Sequence, residues 1–391
     1  MFESLIILGR QPALSLAELE SLYHADKIQP ISQYAALLDM PSKDVDFSRM
    51  GGSIKLCKVL TEIDSQDWRS ITDYLVEHVP KHVCCLVPGK VKFGISTYGL
   101  KVSPKAIGAT GLEVKKASKA VDRSMRVIPN KETELNAAQV LNNKMTDELG
   151  MELILVASNK KTILAQTVAV QDIDSYAARD QKRPARDARV GMLPPKLAQT
   201  IINLAHPAPK QALLDPFCGT GVILQEALLM GLDVYGSDLE ERMIDYSNKN
   251  LDWLAKQPGI DLSKQTYLLE TGDACDFKWQ DFDVVACETY LGRPFSTEPN
   301  PEKLREVIQD VNTIHRKFLV NIAHQTKPGL RMCIAVPAWH TKNGIKHLPV
   351  LDQLTDMGYT RMSFVHTPNR DLIYHREGQI VGRELVVLTR K

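Results

Sequence analysis

The stretch from Ala212 to Asp238, ALLDPFCGTGVILQEALLMGLDVYGSD, gathers residue types that hold a small polar ligand. An apolar run, Ala212-Leu213-Leu214, closes on Asp215. A tight turn follows, Pro216-Phe217-Cys218-Gly219-Thr220-Gly221, and then an apolar segment from Val222 to Met230. Glycines in such a turn let the backbone approach a ligand that a β-carbon would exclude. A second apolar run, Asp233–Ser237, leads into Asp238, nineteen residues after Gly219, a spacing that suits a carboxylate accepting from two ribose hydroxyls. The dinucleotide fingerprint G-x-G-x-x-G is not met, because Leu224 stands where the third glycine belongs. Asp215 would also repel a diphosphate and attract an ammonium group. The expected ligand is therefore S-adenosylmethionine, with a nicotinamide dinucleotide as the alternative. Its expected contacts are Asp215, Phe217, Cys218, Gly219, Thr220, Gly221 and Asp238. Phe217 and Leu239 are candidates to sandwich the adenine. Asp273, in the Glu270-Thr271-Gly272-Asp273-Ala274 segment, is the candidate acceptor for the adenine amine, with Ala274 beside it; a plain turn cap is the other reading of Asp273.

A fourth apolar run, Phe282–Cys287, leads into Glu288-Thr289-Tyr290-Leu291-Gly292-Arg293-Pro294. Methyltransferases acting on exocyclic amines usually carry Asp, Asn or Ser here, then Pro-Pro and an aromatic residue. An exocyclic amine is a poor nucleophile because its lone pair is delocalised into the ring. A carboxylate and a backbone carbonyl accepting from the NH2 favour a pyramidal nitrogen that can attack a methyl group in line. Glu288, which also borders the donor, supplies the acceptor, and Tyr290 or Leu291 supplies a surface for the base. The extra methylene of Glu288 displaces the carboxylate by about 1 Å relative to aspartate, and Thr289-Tyr290 lack the rigidity of two prolines.

These residues need strand ends to position them. From Gly191 onward, strands at Ala212–Asp215, Asp233–Ser237, Tyr267–Glu270, Asp283–Cys287, Arg331–Val336, Arg361–His366 and Leu385–Thr389 are predicted. Helices are predicted from Pro194-Pro195, over Val222–Met230 and over Glu240–Leu254. This alternation predicts an α/β fold with a doubly wound, seven-stranded, mostly parallel sheet, its last two strands forming an antiparallel hairpin near one edge. Residues 1–58 read as a small α/β module, with strands at Leu5–Gly9 and Ala35–Asp39 and a helix from Ser15. Residues 59–172 read as a second α/β unit, with strands at Val91–Tyr98, Leu153–Ala157 and Thr162–Val170 and helices over Trp68–His78 and Leu135–Leu149. Residues 173–190, rich in bases and without apolar periodicity, read as a surface linker, and 191–391 as the ligand-binding domain.

The net charge of +1 hides a strong polarity. Between Lys81 and Lys131 there are eleven bases against two acids; between Gln225 and Glu288 there are fourteen acids against five bases. The basic segment suggests an anionic partner, a solvated lysine-rich surface being the other reading. Seven scattered cysteines with no C-x-x-C pair argue against a disulfide framework and for a reducing cytoplasm. No apolar run approaches the roughly 20 residues that span a bilayer, so no membrane partner is expected. The first residues read as a strand, not a signal peptide. The histidines show no metal-ligand spacing, and no metal is expected.

Three stretches together, RPARDARVGMLPPKLAQTIINLA, LLDPFCGTG and the Glu288-Thr289-Tyr290-Leu291 motif, resemble the THUMP-containing tRNA guanosine-10 N2-methyltransferase family and its bacterial relatives. KVKFGISTYGL and TVAVQDIDSYAARD extend the likeness over nearly the whole chain. The resemblance implies a ferredoxin-like module, a THUMP domain that presents tRNA, and a Rossmann-like domain that methylates a guanine amine with S-adenosylmethionine. It implies RNA contacts from Lys92, Lys101, Lys115, Lys116, Lys119, Arg123 and Arg126. Arg183, Arg186 and Arg189 either join them or pin the linker through Asp180 and Asp187. Eukaryotic members of the group work with a small zinc-binding subunit; the sequence leaves open whether this chain does. Two other functions stay open as well: an RNA-binding protein that keeps the pocket without transferring, and an amino-methyltransferase of rRNA or DNA.

Overall fold

The computed structural model describes residues 2–187, 192–293, 295 and 297–391. By internal contacts the chain divides into two compact units. The first comprises Met1–Pro12, Asp26–Ser48 and Ser53–Asp174; the second comprises Ala13–Ala25, Arg49–Gly52 and Ser175–Lys391.

The first unit is built on one eight-stranded sheet of β1 (Ser4–Leu8), β2 (Ile28–Ser32), β3 (Ala35–Leu38), β4 (Ser53–Ile63), β5 (Val91–Tyr98), β6 (Met125–Val127), β7 (Gly150–Ser158) and β8 (Lys161–Val170), in the order β2-β3-β1-β4-β8-β7-β5-β6. Strand β4 runs straight through residue 58, so the two segments read separately from the sequence share a sheet. Of its helices, α1 (Pro12–Tyr23) lies almost wholly in the second unit, whereas α2 (Trp68–Val83), α3 (Pro104–Lys119) and α4 (Ala137–Asn142) belong to the first. Side-chain caps start them: Asp67 accepts from the Ser70 amide at 2.9 Å, Ser103 from Ala106 at 3.3 Å, and Asn136 from Gln139 at 2.9 Å in a capping box. The helix expected over 135–149 shrinks to α4, because Lys144 adopts a left-handed φ of 52° that ends any helix there. Ile71, Leu75, Phe93, Ile95, Ile107 and Val114 close the core between α2, α3 and the sheet.

The second unit carries β9 (Ala212–Asp215), β10 (Asp233–Asp238), β11 (Tyr267–Thr271), β12 (Val284–Glu288), β13 (Arg331–Thr341), β14 (Gly344–Lys346), β15 (Tyr359–Arg361), β16 (Ile373–Tyr374) and β17 (Val381–Arg390). Its main path runs β11-β10-β9-β12-β13-β17-β15, parallel up to β13, with β17 antiparallel to both its neighbours. The seven strands of this path correspond to the seven expected, but among the described residues the sheet has nine, because β14 adds to β13 and β16 to β17. Its last strand, β17, pairs antiparallel with the edge strand β15, so the expected hairpin sits near one edge of the path. The strand expected over 361–366 stops at Arg361, because the amides of Val365 and His366 donate instead to the carboxylate of Glu20, at 2.6 and 3.1 Å.

Helices α5 (Ile173–Ala177), α6 (Pro195–Ala205), α7 (Val222–Leu229), α8 (Glu241–Ala255) and α9 (Pro301–Gln325) complete this unit. The 25-residue α9 has no counterpart among the predicted elements, although its signals are in the sequence: Asn300 caps it, Pro301 opens it, and Leu304, Val307, Val311, Phe318 and Ile322 recur on the buried face. Helix α1 packs Leu14 and Ala17 into the same core as Leu197, Ile201 and Leu213. Its buried Glu18 is satisfied by the amides of Gly51 and Gly52 and by the Asn203 side chain, at 3.0, 2.8 and 2.8 Å. Nor is the segment after Asp172 an exposed linker. It forms α5 and a further helical turn over Ala178–Lys182. Arg183, Ala185 and Asp187 are buried, and the Ala185 amide and carbonyl both bond to the Asn250 side chain of α8.

Candidate cofactor and transfer site

Leu213 and Leu214 of β9 are buried, so the strand delivers Asp215 to the carboxyl edge of the sheet, where doubly wound folds bind ligands. The following turn is left-handed at Gly219 (φ 52°) and Gly221 (φ 77°). A β-carbon on Gly221 would sit 2.9 Å from the Ser247 hydroxyl, whereas one on Gly219 would meet only the Phe217 carbonyl, at 3.9 Å. The turn is thus packed behind by α8 and open in front at Gly219. Helix α8 locks it: Ser247 donates to the Gly219 carbonyl at 2.9 Å and Asn250 to the Thr220 carbonyl at 2.8 Å. From the end of β10, Asp238 accepts the Gly219 amide at 2.9 Å and the Glu240 amide at 3.0 Å.

Three carboxylates, Asp215, Asp238 and Glu288, meet here, and of these Glu288 is paired with a cation. Asp215 is buried, its carboxyl taking a single backbone amide, that of Phe217 at 3.1 Å. Burial holds its pKa well above the carboxylate range, and the charges of Asp238 and Glu288 push it the same way. Asp238 is also raised by burial, against the amides that favour its charged form. Such a pocket lowers its energy by taking up a cation and rejects a diphosphate. The open front of Gly219, the ribose-spaced Asp238 and this negative field fit S-adenosylmethionine, whose sulfonium and ammonium are both positive. Asp238→Ala should therefore weaken S-adenosylhomocysteine binding by roughly ten-fold or more, the loss of a charged hydrogen-bond acceptor. Unchanged affinity by calorimetry would remove Asp238 from the site.

Strand β12 carries Glu288 to the same edge. Its Oε1 accepts from Nε of Arg383 on β17, which reaches across β13 to form the pair. Burial raises the Glu288 pKa and Arg383 opposes that rise. Thr289 is buried; its amide donates to the Ala335 carbonyl at 3.0 Å, and its hydroxyl lies 2.6 Å from Nε2 of His315 on α9. Nδ1 of His315 faces the Val311 carbonyl at 2.8 Å, so Nδ1 carries the hydrogen and Nε2 accepts from Thr289. Burial depresses the His315 pKa to about 4, which keeps the ring neutral at pH 7. This chain anchors the backbone where two prolines would otherwise stiffen it. Tyr290 is exposed and Leu291 half-buried beside Gly292 (φ 86°), so both can cover a base laid on the edge.

Comparison with known proteins bears on this geometry. Residues 182–342 match a family model described as RMKL-like, methyltransferase domain. The matched residues lie within the second unit. Residues 113–249 also match a DNA methylase model. The chain is 41% identical over 185 residues to the tRNA (guanine(10)-N2)-dimethyltransferase of Methanothermobacter thermautotrophicus, covering 46% of this chain and 49% of that protein. It is 36% identical over 104 residues to the enzyme of the same name from Pyrococcus abyssi, covering 26% and 29%. These matches span about half the length of the curated relative or less. Among solved structures, TrmN from Thermus thermophilus aligns over 99% of both chains with a TM-score of 0.53 at 16% identity. SMU.472, solved in complex with SAH, aligns over 99% of this chain and 97% of its own with a TM-score of 0.51 at 13% identity. At these identities the structural likeness is one of fold.

Within the second unit the candidate residues separate clearly. Asp215, Gly219, Thr220, Gly221, Asp238 and Glu288 come together at one edge of the sheet. Cys218 is buried in the core, and its thiol is pushed well above its ordinary pKa by burial, so it contributes packing. Phe217, two residues after the end of β9, packs edge-on against Phe318 with ring centroids 5.0 Å apart, while Leu239, directly after β10, is 68% exposed. Asp273 caps its own turn through the Cys275 amide at 2.9 Å, and Ala274 is buried beside it. Arg383 and His315 are the residues that sequence reasoning missed; the buried histidine on α9 was the one local signal. Among the basic candidates, Lys101, Lys115, Lys116, Lys119 and Arg126 are exposed and Lys92 is half-buried. Arg123 is partly committed, donating to the Val87 carbonyl at 2.7 Å. Arg183 is a correction. At 2% exposure it cannot reach a phosphate on an RNA surface, since the segment that carries it folds against Asn250 instead of standing off as a linker. Arg186 is exposed, and Arg189 lies outside the described residues. Among the described residues no metal-binding cluster occurs, and no helix is long and apolar enough to cross a membrane.

Proposed function

We propose that this chain methylates the exocyclic N2 amine of a guanosine in tRNA, position 10 by its likeness to the archaeal enzymes, with S-adenosylmethionine as donor. The observation that carries the reading is Glu288: an ionisable acceptor at the end of β12, on the same edge as the glycine turn and Asp238, in a domain whose relatives are named tRNA (guanine(10)-N2)-dimethyltransferases. When bound, the cofactor supplies an electrophilic methyl group. The chain's own residues do the rest. Asp215 offers a carboxylate to an ammonium, Asp238 accepts from the ribose, and the Gly219 turn lets the donor lie against the backbone. Glu288 accepts a hydrogen from the guanine amine and takes up the proton released as the new N–C bond forms. Tyr290 and Leu291 cover the flipped base and keep water away.

On this reading the first unit, in which β4 joins residues 1–58 and 59–172 into one sheet, is the THUMP-containing part that presents tRNA, and the protein works in the cytoplasm. The tRNA contacts are assigned to the exposed bases of α3, Lys115, Lys116 and Lys119, continued by Arg126 and Lys101. Contacts of this kind are to phosphates and set position, not sequence. The decisive assay incubates purified protein with bulk tRNA and labelled S-adenosylmethionine and digests the product to nucleosides. Label in N2-methylated guanosine supports the reading. Label in N6-methyladenosine, or saturable cofactor binding with no transfer, overturns it. Replacing Lys115, Lys116 and Lys119 together by alanine should weaken tRNA binding. Its salt dependence should flatten by about one unit of slope for each phosphate that is no longer neutralised. An unaltered slope would move the RNA surface elsewhere.

A further inference from the structure

The pair at the transfer site divides its hydrogen-bonding capacity unevenly. Glu288 spends Oε1 on Arg383 Nε, and no hydrogen bond among the described residues engages its Oε2. Arg383 is only 6% exposed, yet neither of its terminal NH2 groups has a hydrogen-bond partner among the described residues. No Arg383 nitrogen is among the fully buried side-chain atoms left without a partner, so its NH2 groups keep access to solvent at the site and are free to donate to a ligand that supplies acceptors there. The edge of the site therefore offers an acceptor and a donor side by side, Glu288 Oε2 and an Arg383 NH2.

A base edge that complements this order must present an N–H donor next to a bare ring nitrogen. The amine of guanine has two flanks. On the Watson–Crick side its neighbour is N1–H, a second donor, which would face Arg383 donor to donor. On the other side its neighbour is N3, an acceptor. We propose, taking the guanosine reading above as given, that Arg383 is the specificity-determining residue of the transfer site: it turns Glu288 so that Oε2 meets the N2 amine and donates one of its own NH2 groups to guanine N3. The base is then read by its N2/N3 edge, and N1–H is left to other groups. No comparison assigns Arg383 a role, and it lies on the antiparallel strand β17, far in sequence from the motif it serves.

Burial favours protonation of Glu288 and Arg383 from β17 opposes it, while the charge of Glu288 in turn raises the pKa of Asp215 at the end of β9. Two measurements separate this assignment from the guanosine reading. The first compares a tRNA carrying guanosine at the methylated position with the same tRNA carrying 3-deazaguanosine, in which a C–H replaces N3. The wild-type protein should lose kcat/KM by about ten- to one-hundred-fold on the analogue, the size of one hydrogen bond to a charged group. Arg383→Met should be slow on both and distinguish them by less than about two-fold. Equal discrimination by the two proteins, or none by the wild type, overturns the proposal. The second needs no turnover. A carbon-detected titration of labelled glutamate carboxyls should show the Glu288 midpoint moving up in Arg383→Met and returning in Arg383→Lys, which keeps the charge without the planar fork. Lysine should not restore discrimination against 3-deazaguanosine; if it does, charge alone acts and the N3 contact is wrong. A wild-type protein that methylates no guanosine defeats the guanosine reading, and an unmoved Glu288 midpoint then defeats the Arg383 assignment as well.

Discussion

Replacing Glu288 by alanine should lower kcat by about 10²- to 10³-fold, the usual loss when one preorganised group aimed at the reacting atoms is removed. S-adenosylhomocysteine affinity should stay nearly unchanged, because Asp215, Asp238 and the Gly219 turn hold the donor and Glu288 only borders it. Single-turnover transfer at saturating cofactor, paired with calorimetry, tests both halves, and unchanged turnover would take Glu288 out of the chemistry. The pH dependence follows from its burial. The charged form is the acceptor, so the rate falls as pH drops through the Glu288 pKa. Burial raises that pKa, so the fall begins at a higher pH than an ordinary glutamate near 4.3 would give. Glu288→Gln keeps an oxygen acceptor and cannot titrate, so its residual rate should be flat across that limb. A wild-type profile with no acid limb above the ordinary carboxylate range would contradict the assignment.

The largest effect on stability is expected in the first unit. Glu152 on β7 is fully buried and reaches across β8 to an equally buried Lys55 on β4. The hydroxyls of Ser96 and Thr167 donate to the same carboxylate at 2.5 and 2.6 Å, and Lys55 also donates to the Leu135 carbonyl at 2.8 Å. Glu152→Ala strands an ammonium that is 2% exposed and leaves two hydroxyls short of an acceptor. Removing one partner of a buried pair costs about 3–5 kcal/mol. Replacing both, as Lys55→Met with Glu152→Leu, should recover most of that loss, since the desolvation of both charges disappears with them. Denaturant unfolding of the two variants beside the wild type is the test. A Glu152→Ala loss under about 1 kcal/mol would mean water reaches the pair and the network is not closed.

Much of the second unit was legible residue by residue. Four residues of a buried strand ending in Asp215, two glycines in a tight turn, and an acid at the end of the next strand are local features. A parallel sheet with both faces covered leaves its strands nearly continuous apolar runs, so β9, β10, β12 and β13 announce themselves. Helix α9 was equally visible in its cap and its 3–4 spacing, and it went unread for want of a motif to draw attention to it. Strand β4 was hidden by a mixed pattern, SIKLCKVLTEI, in which the buried Lys55 imitates a surface residue.

The sequence by itself determined the cofactor turn, the acids that give it a negative field, and the alternation that builds a doubly wound sheet, because each depends on neighbours within a few residues. Only the tertiary structure decided that Arg383 faces Glu288, that His315 tethers Thr289, that α1 packs with the second unit, and that Arg183 is buried where a surface contact was expected. The physical reason is common to all four. A charge on a chain carries no mark of whether folding will bring it water or a partner, and that choice is made by strands and helices far apart in sequence.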